Sequence, residues 1–80
     1  MPRFFFHTHH GAPTRDREGT ELLDLHTAQV QAVRLSGEVL RDLGGRFWDA
    51  QPWSLEVANA RGEVLFALHI SAEARMPLPG

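Results

Sequence analysis

Apolar residues along this 80-residue chain recur with two different periods, and the change from one to the other divides it into elements. Arg3 to His9 alternates with a period of two and is rich in aromatics, the pattern of a pleated strand. Phe4, Phe6 and Thr8 fall on one side, and Phe5, His7 and His9 on the other. Gly11-Ala12-Pro13 is expected to break that strand, with a short second strand at Thr14 to Asp16. Arg17-Glu18-Gly19 reads as a turn, since Gly19 reaches positive φ at little steric cost.

From Leu25 the spacing changes to three and four. Leu25, Ala28, Ala32, Leu35, Val39 and Leu43 form one apolar stripe, which predicts a helix over about 25–43. Asp24 suits its N-cap, because a carboxylate there can accept from the free N–H groups of the first turn. Gly44-Gly45 supplies the stop. Gly37 is weak for a helix interior and suggests close approach to the sheet. Arg46 to Pro52 is a connection, with Phe47 and Trp48 expected over one end of the core.

Period two then returns. Trp53 to Asn59 places Trp53, Leu55 and Val57 inward. Asn59-Ala60-Arg61-Gly62 reads as a type I turn closed by a left-handed glycine. Glu63 to Ser71 is the return strand, with Val64, Phe66, Leu68 and Ile70 facing in and Leu65, Ala67 and His69 facing out. The order β-β-α-β-β implies an α+β domain over residues 1–73: a two-layer fold with an antiparallel sheet covered on one face by a single amphipathic helix. Residues 74–80 read as a proline-rich tail. The expected core is Phe4, Phe6, Ala28, Ala32, Leu35, Val39, Leu55, Val57, Val64, Phe66 and Leu68.

Composition narrows the functional classes. There is no cysteine, which removes disulfides, thiolate metal sites and cysteine nucleophiles. A formal net charge of −2 argues against binding a phosphate backbone, which needs concentrated positive charge. Three phenylalanines at Phe4 to Phe6 are too few for a signal-peptide core or a membrane span, so the expected location is the cytoplasm, with no membrane partner. An 80-residue domain buries a modest share of its surface and gains from a partner chain.

Histidines are the main concentration of reactive side chains. His7 and His9 share a face of the first strand, and His69 faces the same side from the last. If those strands are neighbours, His7, His9 and His69 converge on a zinc or nickel ion, with Glu56 on the same face. An all-antiparallel order instead inserts the Trp53 strand and separates His69 from His7; the histidines then simply cover a solvated face. No nucleophile elbow, phosphate loop or calcium loop appears, so an enzyme is not expected and no cofactor is implied beyond that ion. Of the four acids Asp16, Glu18, Glu21 and Asp24, Asp24 is read as a cap and Asp16 and Glu18 as turn residues.

The same outer face carries Phe5, His7, Leu65, Ala67 and His69. One helix leaves it uncovered, so a homodimer that buries these residues is expected. Arg3, Phe5 and His7 together suggest base stacking, a nucleic-acid reading that the negative charge disfavours.

The opening Met-Pro-Arg-Phe-Phe-Phe-His, the Asp16-x-Glu18-Gly19-Thr20-Glu21-Leu22-x-Asp24-Leu25 segment and the hairpin Trp53-x-Leu55-x-Val57 … Gly62-x-Val64-Leu65-Phe66 resemble a family of short bacterial proteins known only as a domain of unknown function. The likeness covers about residues 1–73. Phe4, Leu23 and His26-Thr27 depart from the tyrosine, proline and acidic helix start typical of that family. It implies a fold and no activity. The order of elements is also similar to HicB-like antitoxin domains, which by analogy implies a regulatory role.

Overall fold

A computed structural model describes residues 1–10 and 12–76. The proline-rich tail expected at 74–80 therefore lies largely outside the described residues, as does Gly11. The elements are β1 (Arg3–His10), β2 (Ala12–Thr14), β3 (Thr20–Glu21), α1 (Leu25–Leu43), a 3-10 turn (Gly44–Arg46), the short α2 (Phe47–Ala50), β4 (Trp53–Ala58) and β5 (Val64–Ile70). The sheet runs β2-β1-β4-β5, every pair antiparallel, and β3 pairs with the other end of β1. With α1 on one face, this is the two-layer α+β fold expected.

The helix starts and stops where its chemistry dictates. Asp24 Oδ1 accepts from the Thr27 N–H at 2.8 Å and from the Thr27 hydroxyl at 2.7 Å. Gly44, at φ 52°, ends it and donates its N–H to Leu40 O. Its buried face is made of small residues, Ala28, Ala32 and Ser36, four apart. That narrow seam lets the backbone approach the large buried side chains Trp53, Leu55 and Val57 of β4. Phe4 completes the buried cluster, and Phe6, Leu35, Val39, Phe66, Leu68 and Ile70 pack around it. The Ser36 hydroxyl is satisfied within the helix by Ala32 O at 2.8 Å, which explains a polar residue in this seam.

Several expectations are corrected. Val64 is 53% exposed and lies outside the core. The cause is a bulge: Val57 pairs with Phe66 but Ala58 pairs with Val64, so Leu65 has no partner of its own. One extra residue moves Val64 to the opposite face. Ala12-Pro13-Thr14 forms β2 instead of interrupting the sheet, and Thr14 to Asp16 is not the second strand. Pro13 is tolerated there because β2 is an edge strand and one of its sides needs no donor. Thr20–Glu21 was not expected as a strand; it pairs with Arg3 and Phe4. Trp48 is 53% exposed, so of the two aromatics before β4 only Phe47 packs on the core. A Cβ on Gly37 would meet nothing within 4 Å, so close approach to the sheet does not explain that glycine.

Candidate functional site

The sheet face opposite α1 carries the residues singled out from the sequence, and strand order decides which of them meet. β4 lies between β1 and β5. Across the three strands, His7 pairs with Glu56 and Glu56 with Ala67; His9 pairs with Ser54 and Ser54 with His69. His69 is therefore two strand spacings from β1, roughly 10 Å. The structure brings His9 and Glu56 together, with Nε2 2.7 Å from Oε1. That contact is close but poorly directed, since His9 Nε2 has no partner in hydrogen-bonding geometry. His7, His9 and His69 are not gathered around one point. Among the described residues, no group of three or more His, Cys, Asp or Glu side chains is arranged to hold a metal ion.

His7 is occupied instead by the segment that follows β2. Its Nδ1 accepts from the Asp16 N–H at 3.0 Å. The Asp16 carboxylate in turn accepts from the Phe6 N–H at 3.1 Å through Oδ2, and from Glu18 and Gly19 N–H at 3.1 and 3.0 Å through Oδ1. Partial burial pushes the Asp16 pKa up; the N–H donors of Gly19, Phe6 and Glu18 and the neighbouring His7 outweigh it and hold the carboxyl below its ordinary value. The Asp24 pKa is lowered too, chiefly by the Thr27 N–H and then by its hydroxyl. Both carboxylates are held ionised, the opposite of what a general acid needs.

Gly19 closes the loop over Phe5. At φ 72° its backbone comes so near that an added Cβ would lie 2.8 Å from Arg3 Cγ and 2.9 Å from Phe5 Cε2. Arg3 crosses the same loop, donating to Glu18 O at 2.8 Å and pairing with Glu21 Oε1 at 3.2 Å. Phe5 and His7 are thus half-buried under the chain's own loop, while Leu65 and His69 stand exposed on β5, with Ala67 half-buried between them.

A cavity of about 470 Å³ opens at the other end of this face. His9, His10 and His69 line it with Ser54, Asp49, Gln51 and Pro52. Alternation along β4 places Ser54 there, so that neighbour was legible. Asp49 and Gln51 were not, because their position depends on the α2 turn. A second hollow of about 200 Å³ lies between Phe5, His7, Arg15 and the Asn59–Gly62 turn.

A model of the family described as a domain of unknown function (DUF6894) matches residues 3–71, from the first residue of β1 to just past the end of β5. The chain belongs to that family. No curated protein and no solved structure matches it. The DUF6894 match takes in the entire Asp16–Leu25 segment, and the contacts above give that segment structural tasks: Asp16 ties the loop to β1, Gly19 lets it close over Phe5, and Asp24 caps α1. Among the described residues, no helix is long and apolar enough to cross a membrane.

Proposed function

We propose that this DUF6894 domain is a non-enzymatic protein-interaction module that self-associates on the side of the sheet away from α1. The observation that supports this reading is the contrast along that face. Its β1 end is roofed by the Arg15–Gly19 loop, whereas its β5 end leaves Leu65 42% exposed and His69 exposed, with Ala67 half-buried. An apolar residue left open beside a small one on a domain of this size favours burial against another chain. A regulatory role of the antitoxin kind is compatible with such a module and rests on analogy of architecture alone.

The structural tasks that the acidic residues already have support the non-enzymatic reading. Both Asp16 oxygens accept backbone N–H groups, and Asp24 Oδ1 accepts the Thr27 N–H and hydroxyl. The zinc or nickel reading has less support, because β4 separates His7 from His69. So has the nucleic-acid reading, because Arg3 is engaged by Glu18 and Glu21. Light scattering on a sizing column tests the proposal: a dimer that Leu65→Lys converts to monomer supports it, and a wild-type monomer at high micromolar concentration rejects it.

A further inference from the structure

The two edges of this sheet are built differently. On the β1 side only the three-residue β2, with Pro13 at its centre, and the two-residue β3 stand at the edge. β2 pairs with Thr8 to His10, β3 pairs with Arg3 and Phe4, and between them the Phe6 N–H is taken by the Asp16 carboxylate. The β5 edge has no such cover: among the described residues, β4 is the only element paired with it. In an antiparallel strand, alternate residues turn both N–H and C=O outward, so about half of the β5 backbone groups face away from β4.

Edge strands are normally guarded by lysine, proline, inward charge or bulges. β5, Val-Leu-Phe-Ala-Leu-His-Ile, contains no Asp, Glu, Lys, Arg, Pro or Gly. Its bulge sits at the very start, between Val64 and Phe66, and leaves the rest regular. The chain beyond it is drawn back, since the Ala72 N–H donates to Gln51 Oε1 at 2.7 Å. α1 packs over β4, so it does not close this edge.

We infer that a second copy of the chain adds to this edge, β5 against β5 in antiparallel register centred on Ala67, making one continuous sheet across a two-fold axis. The inference rests on the self-association proposed above and places its contact at the β5 edge, where the outer-face residues Leu65 and His69 come to lie beside the partner's strand. Ala67 is the middle of the seven-residue strand, and this register pairs its regular part, Leu65 to His69, on matching faces. It sets Leu65 opposite His69 of the partner subunit on the outer face and Phe66 opposite the partner's Leu68 on the inner face. No like charges meet. Phe66, Leu68 and Ile70 are only half-buried in one copy, and the partner's strand extends the hydrophobic layer over them. An unrelated extended segment would meet the same backbone groups, but not this matched order of side chains.

The natural chain has no cysteine, so single-cysteine variants report position cleanly. Leu65→Cys and His69→Cys are each folded, checked by circular dichroism, and then oxidised alone and as a mixture. A disulfide-linked dimer that forms in the mixture and not with either variant alone is expected, because residue 65 faces residue 69 across the axis while like positions lie four residues apart, roughly 13 Å. A dimeric mass by light scattering with no cross-link in the mixture overturns the edge pairing and leaves self-association standing. A monomeric mass overturns both. A strand peptide from another protein that protects the β5 amides from exchange while the chain alone stays monomeric replaces the second copy with a different occupant.

Discussion

The Phe6 N–H donates to Asp16 Oδ2 at 3.1 Å, so a side chain ten residues further on occupies the place of a neighbouring strand. The same carboxylate takes the Glu18 and Gly19 N–H groups. One residue thereby joins the sheet, the turn and the loop over Phe5. Asp16→Ala leaves three donors without that acceptor. Hydrogen bonds to a charged group at a half-exposed site set the cost at about 2 kcal/mol, with some recovery by water. For a domain of this size the melting temperature falls by roughly 10 °C. A thermal melt by circular dichroism checks it; a shift under about 2 °C removes Asp16 as the tie.

The pH dependence follows from the direction of the Asp16 shift. Its pKa is lower in the folded chain than its ordinary value of 3.8. Its contribution to stability is therefore complete above about pH 4, where the unfolded carboxyl is also ionised, and is lost as pH falls through the lower folded value. Asp16→Asn keeps the shape and removes the titration. Urea unfolding from pH 6 to pH 2 should show the wild type losing its advantage over Asp16→Asn toward the acid end. A constant difference across that range would contradict the assignment.

Three glycines should respond differently to alanine. Gly37 is helical, exposed and open, so Gly37→Ala stabilises the domain by about 0.5–1 kcal/mol. Gly62, at φ 81°, has free space but the wrong conformation, and its substitution costs about 1 kcal/mol. Gly19 adds contacts of 2.8 and 2.9 Å to a φ of 72°, so Gly19→Ala costs about 3 kcal/mol or more. Chemical denaturation ranks the three, and any other order breaks the account of the loop.

Leu55 and Val64 both read as inward positions in the sequence, and the structure separates them. Leu55 is fully buried and Val64 largely exposed. Leu55→Ala should cost about 2–5 kcal/mol and Val64→Ala within about 0.5 kcal/mol. Equal losses would place Val64 back in the core and deny the bulge.

That pair also marks how far the sequence was legible. Period and cap chemistry located α1 and both hairpin strands to within a residue or two, because Asp24, Gly44 and Gly62 act locally. A bulge leaves no comparable trace, since inserting Leu65 changes the pairing without changing the alternation of residue types. β3 is two residues long and exists through tertiary pairing with Arg3 and Phe4, so its own sequence could not announce it. The histidines depended on strand order, which periodicity does not encode. Of the outer-face residues, Leu65 and His69 remain open, while Phe5 and His7 are roofed by a loop whose residues were read correctly as a turn but not as a lid on the sheet.

The central claim is that the uncovered β5 side of this sheet is made to meet another copy of the chain. Light scattering on the sizing column, run on the wild-type chain from low to high micromolar concentration, measures this most directly. The account predicts a mass that approaches twice the 9.0 kDa of one chain, reverting to a single chain in Leu65→Lys. A mass of one chain at every concentration would contradict it.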